Sequence, residues 1–446
     1  MLDLLLIILF CALGVLIGLV TGLLPGLHVN NVTLILLSLA GTIITISSPL
    51  SAYGISAQFI VVLICGLIIS VSLSHAFHQN LPSTFIGAPN EDTALSVLPA
   101  HSLLLKGEGY KAVSLAVLGC IGALLVCLAL FFPLRFVLGS PLNFYTMLRD
   151  ILVWVLIAIV MLMIATEKTR ITEFGLQGKA SVAAGMLFAA FVLALSGVFG
   201  LLIFNLSVAS PIGLPAPVLF PALAGLFGLP TILNSLVVKT EVPEQNIAPL
   251  LLNRIEKKST LISVLSGSFA GIFVSIIPGL TTATGTVLAM NLRQKSSTEQ
   301  TIVTLASVNT AAAFFVVIVL FVLLKARSGV TIAVSSLLPP ETWTNILMPQ
   351  TLTYLLMFLV LSGCLSYFST LYVAKLFAKK FSRIPYIPLV SFTVMFIVAL
   401  VVLFTGILGI VVLLVATCIG FLPICWGVRR SHCMGVLLIP IILYFL

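Results

Sequence analysis

The chain has 446 residues, 61% of them hydrophobic and only 7% charged, with 21 Lys and Arg against 12 Asp and Glu and a mean hydropathy of +1.29. Soluble domains hold about half apolar and about a quarter charged residues, so a water-soluble globular domain is excluded and a multi-pass protein of the cell membrane is predicted. The net charge of +9 falls in short loops, where Lys and Arg mark the cytoplasmic face rather than contacts to nucleic acid.

Apolar runs long enough to cross a bilayer as helix, which takes about 20 residues, include 4–24, 53–73, 112–134, 182–202, 261–277, 302–324, 352–377 and 390–408. With shorter segments they predict an all-α polytopic fold of about 10–12 transmembrane or half-membrane helices. The first run carries Asp3 where a signal peptide carries Lys or Arg, and no Ala-x-Ala follows it, so it is expected to stay as a span. It contains Gly14-x-x-x-Gly18 and ends in Pro25-Gly26-Leu27. Glycines four apart let another helix approach closely, whereas Pro-Gly removes a donor and turns the chain, so the helix breaks there. The polar residues beyond the break, His28, Asn30, Asn31 and Thr33, then sit at the start of the next helix, where free N–H groups favour anions.

The next polar segment gathers His75, His78, Glu91, Asp92 and His101 around Pro82, Pro89 and Pro99. His75 and His78 share a helix face. Three readings are open for them: an intramembrane metal with Glu91, Asp92 or His101, a hydrogen-bonded structural pair, or handling of substrate or protons. Residues 81–89 hold two prolines and a glycine around a short apolar core and predict a re-entrant or unwound segment. Asp92 or Asn90 then stands as an N-cap, and an ionisable group at membrane depth points to function.

Basic loops follow at Lys168–Arg170 with Lys179, Arg254–Lys258, Arg293–Lys295, Lys325–Arg327, Lys375–Arg383 and Arg429–Arg430. The third and fourth flank one apolar run, so both lie inside only if that run is broken. The eight cysteines, 11, 65, 120, 127, 364, 418, 425 and 433, lie mostly in apolar runs with no Cys-x-x-Cys. They predict packing, with no disulfide frame and no zinc site.

Gly14, Gly18, Pro25, Gly26 and Leu27 recur 253 positions later as Gly267, Gly271, Pro278, Gly279 and Leu280, followed by Thr281, Thr282, Thr284 and Thr286. This duplication predicts a first transmembrane repeat over 1–238, a polar linker over 239–258 and a second repeat over 259–446, the usual build of secondary transporters.

Several motifs resemble one family: the Lys106–Val113 segment Lys-Gly-Glu-Gly-Tyr-Lys-Ala-Val with the Pro-rich stretch before it, the Gly-x-x-x-Gly…Pro-Gly start, Asn309-Thr310-Ala311 inside an apolar run, and Ser328–Val334. Together they resemble the TctA family, the large membrane subunit of tripartite tricarboxylate transporters. The family's Tyr-Gly-Gly-Ser stretch stands here as His75-Ala-Phe-His78, its Asp-Gly as Pro99-Ala100, and its second Gly-Ile-Pro-Gly is replaced. The resemblance implies a small membrane subunit and an extracytoplasmic binding protein as partners, and a carboxylate-like substrate.

The expected function is therefore secondary, ion-coupled transport of an anionic substrate rather than an enzymatic reaction, with no cofactor and no metal. Pro25, Gly26, His28, Asn30, Asn31, Pro278, Gly279, Thr281, Thr282, Asn309 and Thr310 are expected to bind the anion. His75, His78, Glu91 and Asp92 are expected to handle a coupling ion, H+ or Na+. No Gly-x-x-x-x-Gly-Lys-[Ser/Thr] occurs, so ATP is not the drive. Two rivals stand beside this reading: a translocase of an anionic lipid carrier such as a polyprenyl phosphate, and an intramembrane metalloenzyme built on His75, His78, His101 and Glu91.

Overall fold

The computed structural model describes residues 2–24, 27, 29–87, 95, 97–169, 178–206, 211, 218–237, 243–277, 282–292, 297–344, 346–381 and 386–446. Among these there is no β-strand. Nine of the described helices are long and apolar enough to cross a membrane, and three shorter apolar helices, Asp150–Ala165, Leu219–Asn234 and Arg430–Phe445, accompany them. The all-α polytopic architecture expected from composition is the one observed.

The first part of the chain forms α1 (Leu2–Leu23), α2 (Val29–Ser47), a 3-10 turn (Ser48–Tyr53), α3 (Ala57–His78) running on into α4 (Asn80–Phe85), α5 (Val97–Leu104), α6 (Gly109–Leu138), α7 (Phe144–Ala165), α8 (Gly178–Phe204) and α9 (Leu219–Leu223). A π-helical turn (Ala224–Gly228) leads from α9 into α10 (Leu229–Val237). The second part forms α11 (Arg254–Ile276), α12 (Thr282–Leu292), α13 (Thr298–Leu323), α14 (Gly329–Leu337), α15 (Gln350–Phe381), α16 (Tyr386–Trp426) and α17 (Gly435–Phe445). Gly406, at φ 62° and ψ −157°, breaks α16 into two helical pieces.

Burial singles out two central helices. In the apolar window of α3–α4, 89% of residues are buried, and in that of α13, 94%, against 39% for α1. Apolar and small residues on all sides let a helix be surrounded. Each central helix receives a glycine-faced partner. A Cβ at Gly14 or Gly18 of α1 would stand 2.7 or 2.6 Å from the Cβ of Ser70 or Ser74 on α3. In α11, Gly267 and Gly271 make the same approach to Ser307 and Ala311 of α13, both at 2.7 Å. Only bare backbone permits this spacing.

The direction of these pairs fixes the architecture. α1 runs along α3 in the same sense, and α11 along α13 likewise. α6 also follows α13, from Lys111 beside Glu299 at 3.5 Å to Gly139 beside Val322. It opposes α3–α4, however, with Gly109 next to Phe85 and Cys120 next to Asn80. α3 and α13 are therefore antiparallel. α15 completes the exchange by following α3, from the Phe59–Tyr354 ring pair to the Phe85–Phe377 ring pair. Each central helix is thus flanked by a long helix from the other part of the chain.

A second reciprocal contact lies outside this core. On α8 and α17, Gly200 meets the Val436 carbonyl and Gly435 meets the Leu193 carbonyl. On α16 and the π turn, Gly420 meets the Leu226 carbonyl and Gly225 meets the Leu413 carbonyl. The sequence signal for it, Gly225-x4-Pro230 and Gly435-x4-Pro440, escaped the sequence reading.

Charge separates the two ends. Lys106, Lys111, Arg254, Lys257, Lys258, Lys375, Lys379 and Lys380 gather where α6 and α11 begin and α15 ends. The opposite end holds Asp3 and Glu341, which line a cleft of about 300 Å³ with Gln58, Gln350 and Tyr354, together with Arg135, Lys325 and Arg327. The excess of Lys and Arg marks the first end as cytoplasmic. α13 is one unbroken helix of 26 residues, so its two ends lie on opposite sides. Arg293–Lys295 lies outside the described residues, and Lys325–Arg327 belongs to the outer end. There Arg327 donates to the Tyr145 hydroxyl at 2.7 Å, and both cations stand over the Tyr145 ring.

Within the polar stretch between α10 and α11, residues 243–253 fold back on the α5–α6 corner. Gln245 Oε1 accepts the Gly109 amide at 2.8 Å, its Nε2 donates to the Leu104 carbonyl at 3.1 Å, and the Asn246 amide donates to the Gly107 carbonyl at 2.8 Å. Gly107 has φ +80°, with the Glu244 carbonyl only 2.9 Å from where a Cβ would be. The glycines of the Lys106–Val113 motif are explained by this docking.

Candidate functional site

The chain stops being helical at Leu23 and resumes at Val29, and again stops at Ile276 and resumes at Thr282. Pro25, Gly26, His28, Pro278, Gly279 and Thr281 fall in these two intervals and lie outside the described residues, as do Glu91 and Asp92. α1 comes from the outer end and α11 from the cytoplasmic end, so the two helix interruptions are approached from opposite sides.

The first interruption is braced by the two histidines. Thr21, in the last turn of α1, pairs through Oγ1 with His75 Nδ1 at 3.2 Å, and a Cβ at Gly22 would lie 2.9 Å from the His78 Cβ. His78 Nδ1 donates to the Ser74 carbonyl at 2.8 Å, and its Nε2 meets Ser369 Oγ of α15 at 2.9 Å. Ser74 Oγ in turn donates to the Val15 carbonyl at 2.9 Å. The pair does share a face, and that face joins α1, α3 and α15.

Asn30, in the first turn of α2, reaches the second part of the chain. Its Oδ1 accepts the amide of Gly329 at 3.0 Å. Gly329 opens α14 behind a capping box of Ser328 and Thr331, so the positive end of α14 faces the start of α2. Asn31 lies beside Asn30 in the same first turn, with its side chain outside the described residues.

On the second side, Thr282 begins α12, and Thr286 within it is buried with no hydroxyl partner among the described residues. Asn309 and Thr310 are buried in α13, one turn beyond Ala306, whose carbonyl accepts from Cys120 Sγ at 3.8 Å. Cys120 also meets Asn80 Nδ2 at 4.0 Å, which sets Asn309 and Thr310 at the level of the α3–α4 junction. The same stretch of α13 meets α6 where Ser307 donates to the Gly119 carbonyl at 3.0 Å.

Among the described residues no three His, Cys, Asp or Glu side chains come close enough to hold a metal. His101 donates from Nδ1 to the Thr84 carbonyl at 3.2 Å.

One polar constellation was not foreseen. Glu167, between α7 and α8, is 2% exposed, and its Oε2 accepts from Arg429 Nε at 2.7 Å and from His432 Nε2 at 2.8 Å. Its Oε1 accepts the Lys168 amide at 3.0 Å. Burial alone raises a carboxyl pKa, yet the donors His432, Arg429 and the Lys168 amide outweigh it and hold Glu167 down at about 2. Arg429 also reaches the Met163 carbonyl and the Thr166 hydroxyl, and Arg430 reaches the carbonyls of Leu226 and Phe227. Arg429–Arg430 is therefore a structural hub rather than a bare cytoplasmic loop. Arg429-Arg430 with His432 two positions on was the available signal, but the histidine's partner stands 265 positions away.

Against this geometry, the family model for the tripartite tricarboxylate transporter TctA family matches residues 8–435. The chain belongs to the TctA family. It is similar to the uncharacterized protein MJ1079 of Methanocaldococcus jannaschii, with 28% identity over 447 residues that cover 98% of this chain and 99% of that protein. No solved structure matches. As a TctA-family chain it is a multi-pass membrane component of a transporter. In this TctA-family member the Asn309–Ala311 motif lies buried in α13, with Ala311 against Gly271 of α11, and the Ser328–Val334 motif forms the start of α14 that meets Asn30.

Proposed function

We propose that this chain is the ion-coupled secondary transporter of an anionic, carboxylate-like substrate, working with a small membrane subunit and an extracytoplasmic binding protein. The observation that carries the reading is the pairing of two helix interruptions approached from opposite sides of the membrane, one of them set against the N-terminus of α14 through Asn30 and Gly329. Broken helices expose amides that bind anionic groups near the membrane centre, and opposed halves give alternating access. In this reading the two parts of the chain are repeats of inverted direction, and the matched glycine contacts of α1–α3 and α11–α13 support it.

The anion is held by residues around Pro25–Asn31 and Pro278–Thr282, with Asn309 and Thr310 in support. His75 and His78, with Glu91 or Asp92, serve the coupling ion, H+ or Na+. The chemistry assigned to the chain is transport, with no bond made or broken.

The test is uptake of radiolabelled di- and tricarboxylates into proteoliposomes under imposed H+ or Na+ gradients. Saturable uptake dependent on a gradient and on the Pro-Gly segments is expected. Flipping of a polyprenyl phosphate analogue without carboxylate uptake would replace this reading with the lipid-carrier translocase.

A further inference from the structure

α15 has two unlike faces. Ser366, Thr370, Ala374 and Ala378 are buried, while Ser369 and Phe377 beside them hold the helix to α3 and α4 through His78 and the Phe85 ring. Leu365, Phe368, Tyr372 and Leu376 follow one another at helical spacing and are exposed, Phe368 by 69% and Tyr372 by 66%. Residues three and four apart stand on one side of a helix. The four therefore make a single apolar stripe that no described segment of the chain covers.

The stripe runs into charge. Lys375, Lys379 and Lys380 continue the same face and are exposed. Among the described residues none of these three lysines is in an ion pair, whereas Lys111 takes up Glu108 and Glu299, and Glu256 caps α11 at Asn253. A helix C-terminus favours cations in its last turn. That accounts for Lys379 and Lys380 but not for Lys375, one turn earlier.

Depth decides what meets them. At about 1.5 Å per residue α15 is about 48 Å long, against about 30 Å of hydrocarbon and about 40–45 Å with both headgroup layers. Tyrosine settles at the boundary between hydrocarbon and headgroups. With Tyr372 there, Lys375 stands about 5 Å beyond it and Lys379 about 10 Å. Lys375 then lies within the layer of headgroup phosphates, and Lys379 and Lys380 lie at its outer margin.

We propose that the cytoplasmic end of α15 is a binding site for an anionic phospholipid, with Lys375, Lys379 and Lys380 on the headgroup phosphate and Phe368, Tyr372 and Leu376 along an acyl chain. Charge complementarity selects this occupant. Anionic lipids of the cytoplasmic leaflet gain from each nearby Lys, and a zwitterionic lipid brings no net charge to three unpaired ammonium groups. A second copy of the chain seated on the stripe about a two-fold axis would set lysines against lysines. The inference needs the membrane placement of α15 but not the transport reading.

The test is lipid retention by the full-length chain, purified from mixed micelles of phosphatidylglycerol and phosphatidylcholine with the same acyl chains and counted by native mass spectrometry. Preferential retention of phosphatidylglycerol is expected, and changing Lys375, Lys379 and Lys380 together to Gln is expected to weaken it at least about tenfold. Changing the same three to Arg keeps the charge and is expected to keep the lipid. Arg254, Lys257 and Lys258, exposed at the same end on α11, are the control: changing all three to Gln is expected to weaken retention less than about twofold. Soluble glycerol phosphate, a headgroup without chains, is expected not to displace the lipid. Equal retention of the two lipids overturns the proposal, and so does an equal loss from both glutamine variants, which would mark a general charge effect. Displacement by glycerol phosphate would make the site one for a free phosphate and overturn it as a lipid site. A dimer on size exclusion that the α15 glutamine variant dissociates would make the face a contact between copies, with the same result. Should that variant fail to insert, Lys375→Gln alone decides, with an expected weakening of about threefold and no weakening as the contrary result.

Discussion

Asn30 and Gly329 are 299 positions apart, yet the side-chain oxygen of one accepts the backbone amide of the other at 3.0 Å. The bond closes the first amide of α14 with a residue from the turn after Pro25-Gly26. Asn30→Ala is expected to cost about 1 kcal/mol, seen as a thermal midpoint lowered by a few degrees, and to reduce uptake by more than this loss of stability accounts for. Unchanged uptake at a lowered midpoint would mark the bond as purely structural.

The glycine contacts predict paired behaviour. A side chain at Gly18 would run into the Val71 carbonyl at 2.6 Å, and one at Gly271 into the Val308 carbonyl at 2.4 Å. Backbone cannot yield as a side chain can, so Gly18→Val and Gly271→Val are each expected to reduce the yield of inserted protein severely. Gly41→Val, with no described atom within 4 Å of where its Cβ would stand, is the control and is expected to express normally. Yield by size-exclusion chromatography of the three variants decides this.

Orientation is open to a direct check. In a background with the eight native cysteines replaced, Asp3→Cys and Glu341→Cys are expected to react with an impermeant maleimide added outside intact cells. Lys257→Cys and Lys379→Cys, exposed at the other end, are expected to react only after permeabilisation. The reverse pattern would invert the assignment of the cytoplasmic face.

Glu167 gives a pH dependence of known sign. Its folded-state pKa, at about 2, lies below the ordinary 4.5. The stability it contributes is therefore fully present above about pH 5 and is lost as the pH falls from there towards 2. The shift corresponds to about 3 kcal/mol as an order of magnitude. Glu167→Gln is expected to be less stable than the parent at pH 7 and to converge with it only as the pH falls to about 2. Thermal unfolding in detergent across this range measures the gap, and a gap that stays constant would remove the ionised carboxylate from the account.

His78 predicts a coupling between distant helices. Because it joins Ser74 and Ser369, His78→Ala and Ser369→Ala are expected to be non-additive by about 0.5 to 2 kcal/mol in a double-mutant cycle. Additive losses would separate α3 from α15 at this point.

The amino-acid sequence by itself determined the membrane class, the helical build, the doubled Gly-x-x-x-Gly…Pro-Gly pattern and the family, because each is written in composition or in spacing along the chain. Helix stops at Leu23 and Ile276 and restarts at Val29 and Thr282 follow from proline and glycine chemistry that acts within a few residues. The sense of α3 relative to α13, the end of the membrane to which Lys325 and Arg327 belong, and the bond from Asn30 to Gly329 were decided only by the tertiary structure. So was the meeting of Glu167 with Arg429 and His432, more than 260 positions away. Local periodicity tells a side chain which face of its own helix it occupies, but the partner across that face is selected by the packing of the whole bundle, and no spacing within either segment records it.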